Sequence, residues 1–195
     1  WNQERVLVKG DIVGGFNLQN ILAVMTVQLA QGYSLINIVK CVAELKPVSG
    51  RMECLGGGEK PAVIVDYAHT PDALEKVLKE LRQYSDHKLK LVFGCGGDRD
   101  KGKRQQMGEI AGKLADEIII TNDNPRFESP EQIINDIVLG CINKHYEVVQ
   151  NRQKAINTAI NSANKNDCIV VVGKGHEDYQ DIKGIKQPFS DQAGR

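Results

Sequence analysis

Residues 123–126 of this 195-residue chain read DNPR, and they place two opposite charges around a rigid proline. A turn uses Asn124 and Pro125, but it does not need an arginine after them. The guanidinium of Arg126 can bind a carboxylate through two parallel hydrogen bonds. The carboxylate of Asp123 can accept hydrogen bonds from an ammonium group. The segment therefore predicts a site for a small molecule that carries both a carboxylate and an amine.

Three further segments follow apolar, β-rich runs in the same way: DYAHTP, GCGGDRDKGKR and GKGHED. In the first, Asp66 ends the run and is a natural acceptor for ribose hydroxyls, as acidic residues are in other α/β folds. His69 precedes the start of a helix, and it can equally be a passive turn residue beside a helix cap. In the second, Arg99 lies between two aspartates and is a candidate for bidentate binding of a carboxylate.

The glycine-rich segment at 94–104 invites a phosphate-binding interpretation, but it has neither the GxxxxGK[ST] spacing nor the GxGxxG order. We interpret its cations as the solvated start of a helix; they are Lys101, Lys103 and Arg104. In the third segment, Gly173 and the glycine two residues later allow close approach of a ligand to the backbone. Glu177 can hold an ammonium, although a plain turn with a surface His–Glu pair is the alternative.

The elements that position these residues follow from hydrophobic periodicity. Apolar runs at 62–66, 89–93, 117–121, 146–150 and 168–172 predict strands, and each gap between them has a helical period. Strands that alternate with helices of this length predict βαβ units and an α/β, Rossmann-like, doubly wound, mostly parallel sheet over residues 48–195. Ligands of such sheets bind at the carboxyl ends of the strands, where the charged segments all lie.

Residues 1–47 do not fit this repeat. A strand at 5–9, a glycine-rich turn and two helices at 16–33 and 34–45 are predicted there. A strand and a helical hairpin of this size cannot bury their own apolar faces. We therefore expect them to be the end of a preceding domain, and the chain to be a piece of a longer protein.

Composition excludes some classes of function. Twenty-five Lys and Arg balance twenty-five Asp and Glu, so no bulk field attracts nucleic acid or a membrane surface. No apolar run approaches the ~20 residues of a membrane span. The five cysteines form no CxxC pair, and we predict buried thiols of a reduced, cytoplasmic protein. Cys95 lies in the glycine-rich loop, but no partner base is evident, and packing is the favoured role.

Six segments occur in an order that resembles the Mur ligases, and specifically the members that add meso-2,6-diaminopimelate. The resemblance covers nearly the whole chain, and it is carried by GGFNLQNILAV (14–24), GRME (50–53), DYAHTPDAL (66–74), GCGGDRDKGKR (94–104), DNPR (123–126) and GKGHE (173–177). It implies that residues 1–47 end the central ATP-binding domain and that 48–195 form a truncated C-terminal, amino-acid-binding domain. It also implies cytoplasmic, ATP-dependent amide synthesis for peptidoglycan, in which UDP-MurNAc-L-Ala-D-Glu is activated as an acyl phosphate.

The same resemblance implies roles for single residues. Nucleotide contacts are expected from Asn20, Arg51, Asp66 and His69. Contacts with meso-diaminopimelate are expected from Arg99, Asp123, Asn124, Pro125, Arg126, Gly173 and Glu177. The main catalytic residues, the phosphate-binding loop and the Mg²⁺ ligands are expected outside this chain. The chain alone should therefore be inactive, and we expect a monomer that binds small molecules.

Other functions remain open at this stage. A lysine-adding Mur ligase is disfavoured by DNPR, because the resemblance associates the arginine with diaminopimelate. A folylpolyglutamate synthetase is disfavoured by the full set of segments, and a dinucleotide oxidoreductase by the absence of GxGxxG after the first strand. A non-catalytic Rossmann-like binding module is the alternative from a different class.

Overall fold

The structure, a computed structural model, describes residues 5–8, 14–142 and 144–192. The chain divides into two compact units, Trp1–Val48 and Ser49–Arg195. The boundary between the units lies one residue from the predicted one. The assignment of the first unit to a central ATPase domain stays a prediction.

The first unit contains two helices, α1 (Gly15–Ala30) and α2 (Leu35–Ala43). Their contact is apolar and small, with Met25 of α1 packed against Ile38 and Val42 of α2. The strand predicted at 5–9 is wrong for 5–8, which have no regular secondary structure. Lys9 and residues 10–13 of the predicted turn lie outside the described residues.

The second unit is built on a six-stranded sheet in the order β1-β2-β6-β3-β4-β5. Its strands are β1 (Glu53–Gly56), β2 (Ala62–Asp66), β3 (Leu89–Phe93), β4 (Glu117–Ile120), β5 (Tyr146–Val148) and β6 (Cys168–Val172). Only β1 is antiparallel to its neighbour, and the other pairs are parallel. The predicted α/β fold with a mostly parallel sheet is confirmed.

Three strands are absent from the sequence prediction. The short edge strand β1 has half of its residues exposed, which hides any apolar period. A separate hairpin joins β7 (Tyr179–Ile182) to β8 (Ile185–Pro188). Its turn residues Lys183 and Gly184 have φ of 53° and 78°, and a positive φ at both central residues defines a type I′ turn. Lys-Gly is not the Asn-Gly signal by which that turn is usually recognised.

Four helices connect the parallel strands: α3 (Pro71–Arg82), α4 (Gly102–Leu114), α5 (Pro130–Val138) and α6 (Arg152–Asn161). Two of them begin as predicted, with the hydroxyls of Thr70 and Ser129 accepting backbone N–H groups ahead of a first-turn proline. Helix α5 is shorter than predicted, because the chain turns at Gly140 against α4. A Cβ at Gly140 would lie 2.0 Å from the carbonyl oxygen of Gln105.

The helices cover the sheet in two layers. Helices α3, α4 and α5 pack side by side, as right-handed crossovers that proceed in one direction require. The connection through α6 returns in the opposite direction, so α6 covers the other face. There Ala155, Ile156 and Ala159 pack with Val92 and Val171. Among the described residues, no helix is both long and apolar enough to cross a bilayer.

Candidate functional site

The glycine-rich loop after β3 lies directly against the DNPR loop after β4. The amide of Gly97 donates to the carbonyl of Asn124 at 2.9 Å. A Cβ at Gly97 would lie 2.0 Å from the carbonyl oxygen of Pro125, and one at Gly94 would lie 2.1 Å from that of Thr121. These glycines are therefore required by the close approach of two backbones, and they do not need a phosphate to explain them.

Arg126 is held in a left-handed conformation, with φ of 51°. Its amide donates to the carbonyl of Asp181 at 3.0 Å, and its carbonyl accepts from the amide of Lys183 at 2.8 Å. Its Nη1 donates to the carbonyl of Gly97 at 2.7 Å. The hairpin of β7 and β8 thus fixes the backbone of Arg126, and the glycine-rich loop fixes its guanidinium.

Behind Arg126 lies a buried polar cluster around Lys174, which the sequence analysis did not select. The Lys174 side chain is completely buried. Its Nζ donates to Asn124 Oδ1 at 2.8 Å and lies 3.2 Å from Glu177 Oε2. Asn124 Nδ2 also donates to Glu177 Oε2 at 2.9 Å, and Asn124 Oδ1 accepts the amide of Asp181. One lysine therefore joins the loop after β4 to the loop after β6.

Asp123 completes this cluster. Its Oδ1 lies 3.3 Å from Lys174 Nζ, but the oxygen is buried and makes no hydrogen bond of good geometry. A Cβ at Gly173 would lie 3.3 Å from Asp123 Oδ2, and Gly173 has a φ of 115° that disfavours any other residue. Asp123 is therefore a buried acceptor with one unsatisfied oxygen, and it lies against Gly173.

The structure brings most of the predicted amino-acid-site residues together: Asp123, Asn124, Pro125, Arg126, Gly173 and Glu177. Arg99 lies on the adjoining glycine-rich loop, and its side chain is exposed. It makes no hydrogen bond or ion pair within the described part of the chain. Arg99 and Arg126 both lie close to Gly96, because a Cβ added at Gly96 would contact both Arg126 Nη1 and Arg99 Cγ.

The interpretation of Arg104 as a solvated residue is wrong. Its side chain is fully buried, and its two Nη atoms donate to Glu128, to Asp136 of α5 and to the carbonyl of Gly96. Hydrogen bonds from Arg104 hold the pKa of Glu128 at about 2, well below its ordinary value. Hydrophobic periodicity could not distinguish Arg104 from its neighbours. Lys101 is exposed and Lys103 is half-buried, so the segment as a whole has the character of a solvated helix start.

A second set of predicted residues lies at the end of β2. Asp66 is buried, and its two oxygens accept the amides of Met52 and Ala68, both at 2.8 Å. Burial raises the pKa of Asp66, and the two amides oppose that shift. Asp66 thereby ties the GRME segment to the sheet, so its carboxylate is already engaged by this unit's own backbone.

Aromatic rings and cations surround that strand end. The guanidinium of Arg51 lies 4.5 Å from the ring centroid of Tyr67. The ring of Tyr67 is 4.8 Å from that of His69 and 5.3 Å from that of His176. Lys103 Nζ donates to the carbonyl of His69 at 2.9 Å. Flat aromatic and guanidinium groups of this kind can stack on a planar ligand.

Asn20 lies on α1 in the first unit and is exposed.

Two of the cysteines, Cys41 and Cys54, are also exposed, which corrects the prediction that the thiols are buried. Cys95 is buried with its Sγ 3.6 Å from Met107 Sδ, and burial raises its pKa to about 12. Packing therefore accounts for Cys95. Within the described ranges, no cluster of three or more His, Cys, Asp or Glu could hold a metal ion.

This sheet, with a charged cluster at its carboxyl edge, matches a known class of proteins. The family described as "Mur ligase, glutamate ligase domain" matches residues 50–175, which is more than half of the chain. The chain therefore belongs to the Mur ligase family.

The particular relatives are similarly informative. UDP-N-acetylmuramoyl-L-alanyl-D-glutamate–2,6-diaminopimelate ligase of Pseudomonas putida is 51% identical over 189 residues, 96% of this chain and 38% of that protein. A solved structure of a ligase with the same name has a TM-score of 0.74 and 39% identity, over 99% of this chain and 40% of its own. The chain thus spans about two fifths of the length of these relatives.

A more distant solved structure has a similar fold. Folylpolyglutamate synthase of Thermotoga maritima has a TM-score of 0.64 at 23% identity, over 85% of this chain and 37% of that one. At this identity the likeness concerns the fold alone.

Proposed function

We propose that this chain is the C-terminal part of an ATP-dependent ligase that adds meso-2,6-diaminopimelate to UDP-MurNAc-L-Ala-D-Glu in peptidoglycan synthesis. Relatives that match nearly the whole chain are named for that activity. The observation that carries the proposal is that the Arg126 guanidinium, hydrogen-bonded to Gly97, belongs to the same loop as Asp123, whose carboxylate is joined to that of Glu177 through Lys174. Such a site offers a cation to a carboxylate and anions to an ammonium.

The amino-acid substrate carries a carboxylate and an ammonium at each of its two ends. We assign the carboxylates to Arg126 and to the exposed Arg99, whose planar groups can each bind one bidentately. The ammonium groups would face Asp123 and Glu177. Asn124 and Pro125 hold Arg126 in its turn, and Gly173 lets the backbone approach the ligand. One of the two ammonium groups must lose a proton before its nitrogen attacks the carbonyl carbon of an acyl phosphate formed elsewhere in the ligase. The amide C–N bond then forms as the bond to phosphate breaks and inorganic phosphate leaves, and this chain's task is to orient that nitrogen.

The nucleotide would lie at the end of β2. Arg51 and His69 belong to the exposed group around Tyr67, where a planar base could stack. Asp66 would act mainly by holding the segment that carries Arg51, since Met52 and Ala68 already occupy both of its oxygens. The nucleotide contact expected from Asn20, which lies on α1 of the first unit, stays a prediction. ATP supplies the phosphoryl group, and Mg²⁺ is assigned to residues outside this chain, so no step here depends on it.

Arg126 explains why diaminopimelate would be chosen over lysine. Lysine lacks the distal carboxylate, and its binding would leave a half-buried guanidinium without that partner. Sites that leave a polar group unsatisfied with the wrong substrate discriminate by factors of ~10⁴. The lysine-adding alternative is therefore disfavoured on physical grounds as well as by resemblance.

The test is an amino-acid competition assay on the full-length ligase with Arg126→Ala. We expect the preference for diaminopimelate over lysine to fall by at least ~10²-fold, with most of the loss in KM for diaminopimelate. Arg82→Ala is the control, because Arg82 is an exposed arginine paired with Asp116 on the opposite, amino-terminal side of the sheet. An unchanged preference in Arg126→Ala would refute the assignment.

The 195-residue chain by itself should not turn over ATP in response to diaminopimelate, because it contains no GxxxxGK[ST] sequence. Phosphate release above a protein-free blank would contradict this expectation. The monomeric state and the cytoplasmic location stay predictions.

A further inference from the structure

We propose that Lys174 is a further specificity-determining residue, a role that rests on the proposed function. Its buried ammonium offsets one of the two carboxylates that it contacts, so that the site does not favour amino acids with a net positive charge and accepts a zwitterion with balanced charges. Arg126 would bind the distal carboxylate of diaminopimelate, whereas Lys174 would disfavour the net positive charge of a competitor such as lysine.

The burial of Lys174 is the first observation. Its side chain is completely inaccessible, and an isolated ammonium in such a place is strongly unfavourable. It is stabilised by the Oδ1 of Asn124 at 2.8 Å and by the carboxylates of Asp123 and Glu177 at 3.3 and 3.2 Å. All three partners are residues assigned to the amino-acid site. The Lys174 ammonium therefore lies directly against the atoms that would receive the substrate.

The charge balance is the second observation. Lys174 is one cation in contact with two carboxylates, those of Asp123 and Glu177. The neighbouring Arg152 is paired with its own buried partner, Asp191, at 2.6 Å. Without Lys174 the two carboxylates would lose the cation that lies between them, and the cluster would attract a positively charged ligand more strongly.

Diaminopimelate with both amines protonated and both carboxylates ionised has no net charge, whereas lysine has a net charge of +1. A unit charge at ~10 Å, with an effective dielectric constant of ~20, changes the relative binding of such ligands by on the order of tenfold. The contribution of Lys174 is smaller than that expected for Arg126, but it acts on the same ratio. It discriminates against the competitor rather than for the substrate.

A purely structural role for Lys174 predicts a different result. In that case, removal of the lysine would lower stability and weaken both amino acids alike, and their ratio would not move. The diagnostic measurement is therefore the ratio of kcat/KM for diaminopimelate to that for lysine, accompanied by thermal unfolding of each variant.

The experiment uses the full-length ligase and the variant Lys174→Met. We expect the diaminopimelate-to-lysine ratio to fall about tenfold, with the change mainly in KM for lysine. The double variant Lys174→Met/Glu177→Gln restores the original charge difference, and the amide can still accept from Asn124. We expect it to recover the ratio to within about threefold of wild type, although its absolute activity is lower.

Lys90→Met is the matched control. Lys90 is also a buried lysine, 2.7 Å from Glu117, but it lies near the start of β3, away from the loops of the site. We expect a lower unfolding temperature and an unchanged ratio. If Lys174→Met fails to fold, Lys174→Gln takes its place.

Each outcome has a definite meaning. A wild-type enzyme that does not use diaminopimelate refutes the proposed function. A wild-type enzyme that does, with an unchanged ratio in Lys174→Met, overturns only the role of Lys174. Failure of both Lys174 variants to fold also overturns it, because the lysine would then serve the fold.

Discussion

The Nη1 and Nη2 atoms of Arg104 donate to the two carboxylate oxygens of Glu128, at 3.0 and 2.9 Å. This bidentate pair joins the first turn of α4 to the loop that carries Arg126. Glu128 also accepts the amide of Asp98, and Asp98 in turn accepts the amide of Phe127. The loops that hold Arg99 and Arg126 are therefore fastened together by a reciprocal set of bonds beneath the proposed site.

Removal of the carboxylate should destabilise the fold strongly. We expect Glu128→Gln to lower the free energy of unfolding by roughly 3 kcal/mol, because a fully buried guanidinium loses one of its two anionic partners. Urea-induced unfolding measures the change. Glu75→Gln, which breaks an exposed pair with Lys79, is the control and should cost no more than ~0.5 kcal/mol. Equal effects in the two variants would contradict the buried pair.

The same pair predicts the acid stability of the protein. The pKa of Glu128 is lowered from 4.5 to about 2 in the folded state, chiefly by its hydrogen bonds from Arg104. A depressed pKa stabilises the fold above the unfolded value, and this stabilisation is lost as pH falls through the folded value. Wild type should therefore lose more stability than Glu128→Gln between about pH 5 and pH 2. Parallel stability curves for the two proteins would rule out this coupling.

Two glycines in one helix should respond to alanine in opposite ways. A Cβ at Gly108 would lie 2.1 Å from the carbonyl oxygen of Ile137, whereas the nearest atom to one at Gly112 would be Lys144 Cγ at an ordinary 3.6 Å. We expect Gly108→Ala to destabilise α4 against α5 by about 2 kcal/mol. Gly112→Ala should stabilise by about 0.5–1 kcal/mol, since alanine favours helix. Thermal unfolding distinguishes them, and equal shifts would contradict the described packing.

The cysteines should divide into two classes in the native chain. Burial raises the pKa of Cys95 to about 12 and those of Cys141 and Cys168 to about 11, while Cys41 and Cys54 are exposed. Partial burial also raises the pKa of Cys54, so it should react more slowly than Cys41, but its exposure still leaves it open to a reagent. Because the thiolate is the reactive form, a thiol reagent at neutral pH should modify two cysteines in the folded chain and five in denaturant. Rapid modification of Cys95 without unfolding would revive a chemical role for it.

Strong local signals were sufficient for the central elements. The five apolar runs became β2 to β6, and Thr70 and Ser129 cap their helices as predicted, because continuous burial and capping are properties of contiguous residues. The charged segments also lie at the carboxyl ends of the strands, since a parallel sheet leaves them no other place. Motif order alone was enough to suggest the family.

Elements that depend on distant partners could not be read in this way. The hairpin of β7 and β8 is mostly polar, with β7 half-buried and β8 exposed, yet it fixes the backbone of Arg126 from more than fifty residues away in the chain. Helix α5 ends early because Gly140 meets another helix, which no local period records.

The sequence by itself determined which residue types are available for chemistry and which segments become strands and helices, because both are encoded within a few neighbouring positions. Only the tertiary structure decided that Arg104 and Lys174 are buried. Each is a charged residue in a polar segment, and its burial is tolerable only because a carboxylate from another loop approaches it: Glu128 at 2.9 Å for Arg104 and Asp123 at 3.3 Å for Lys174.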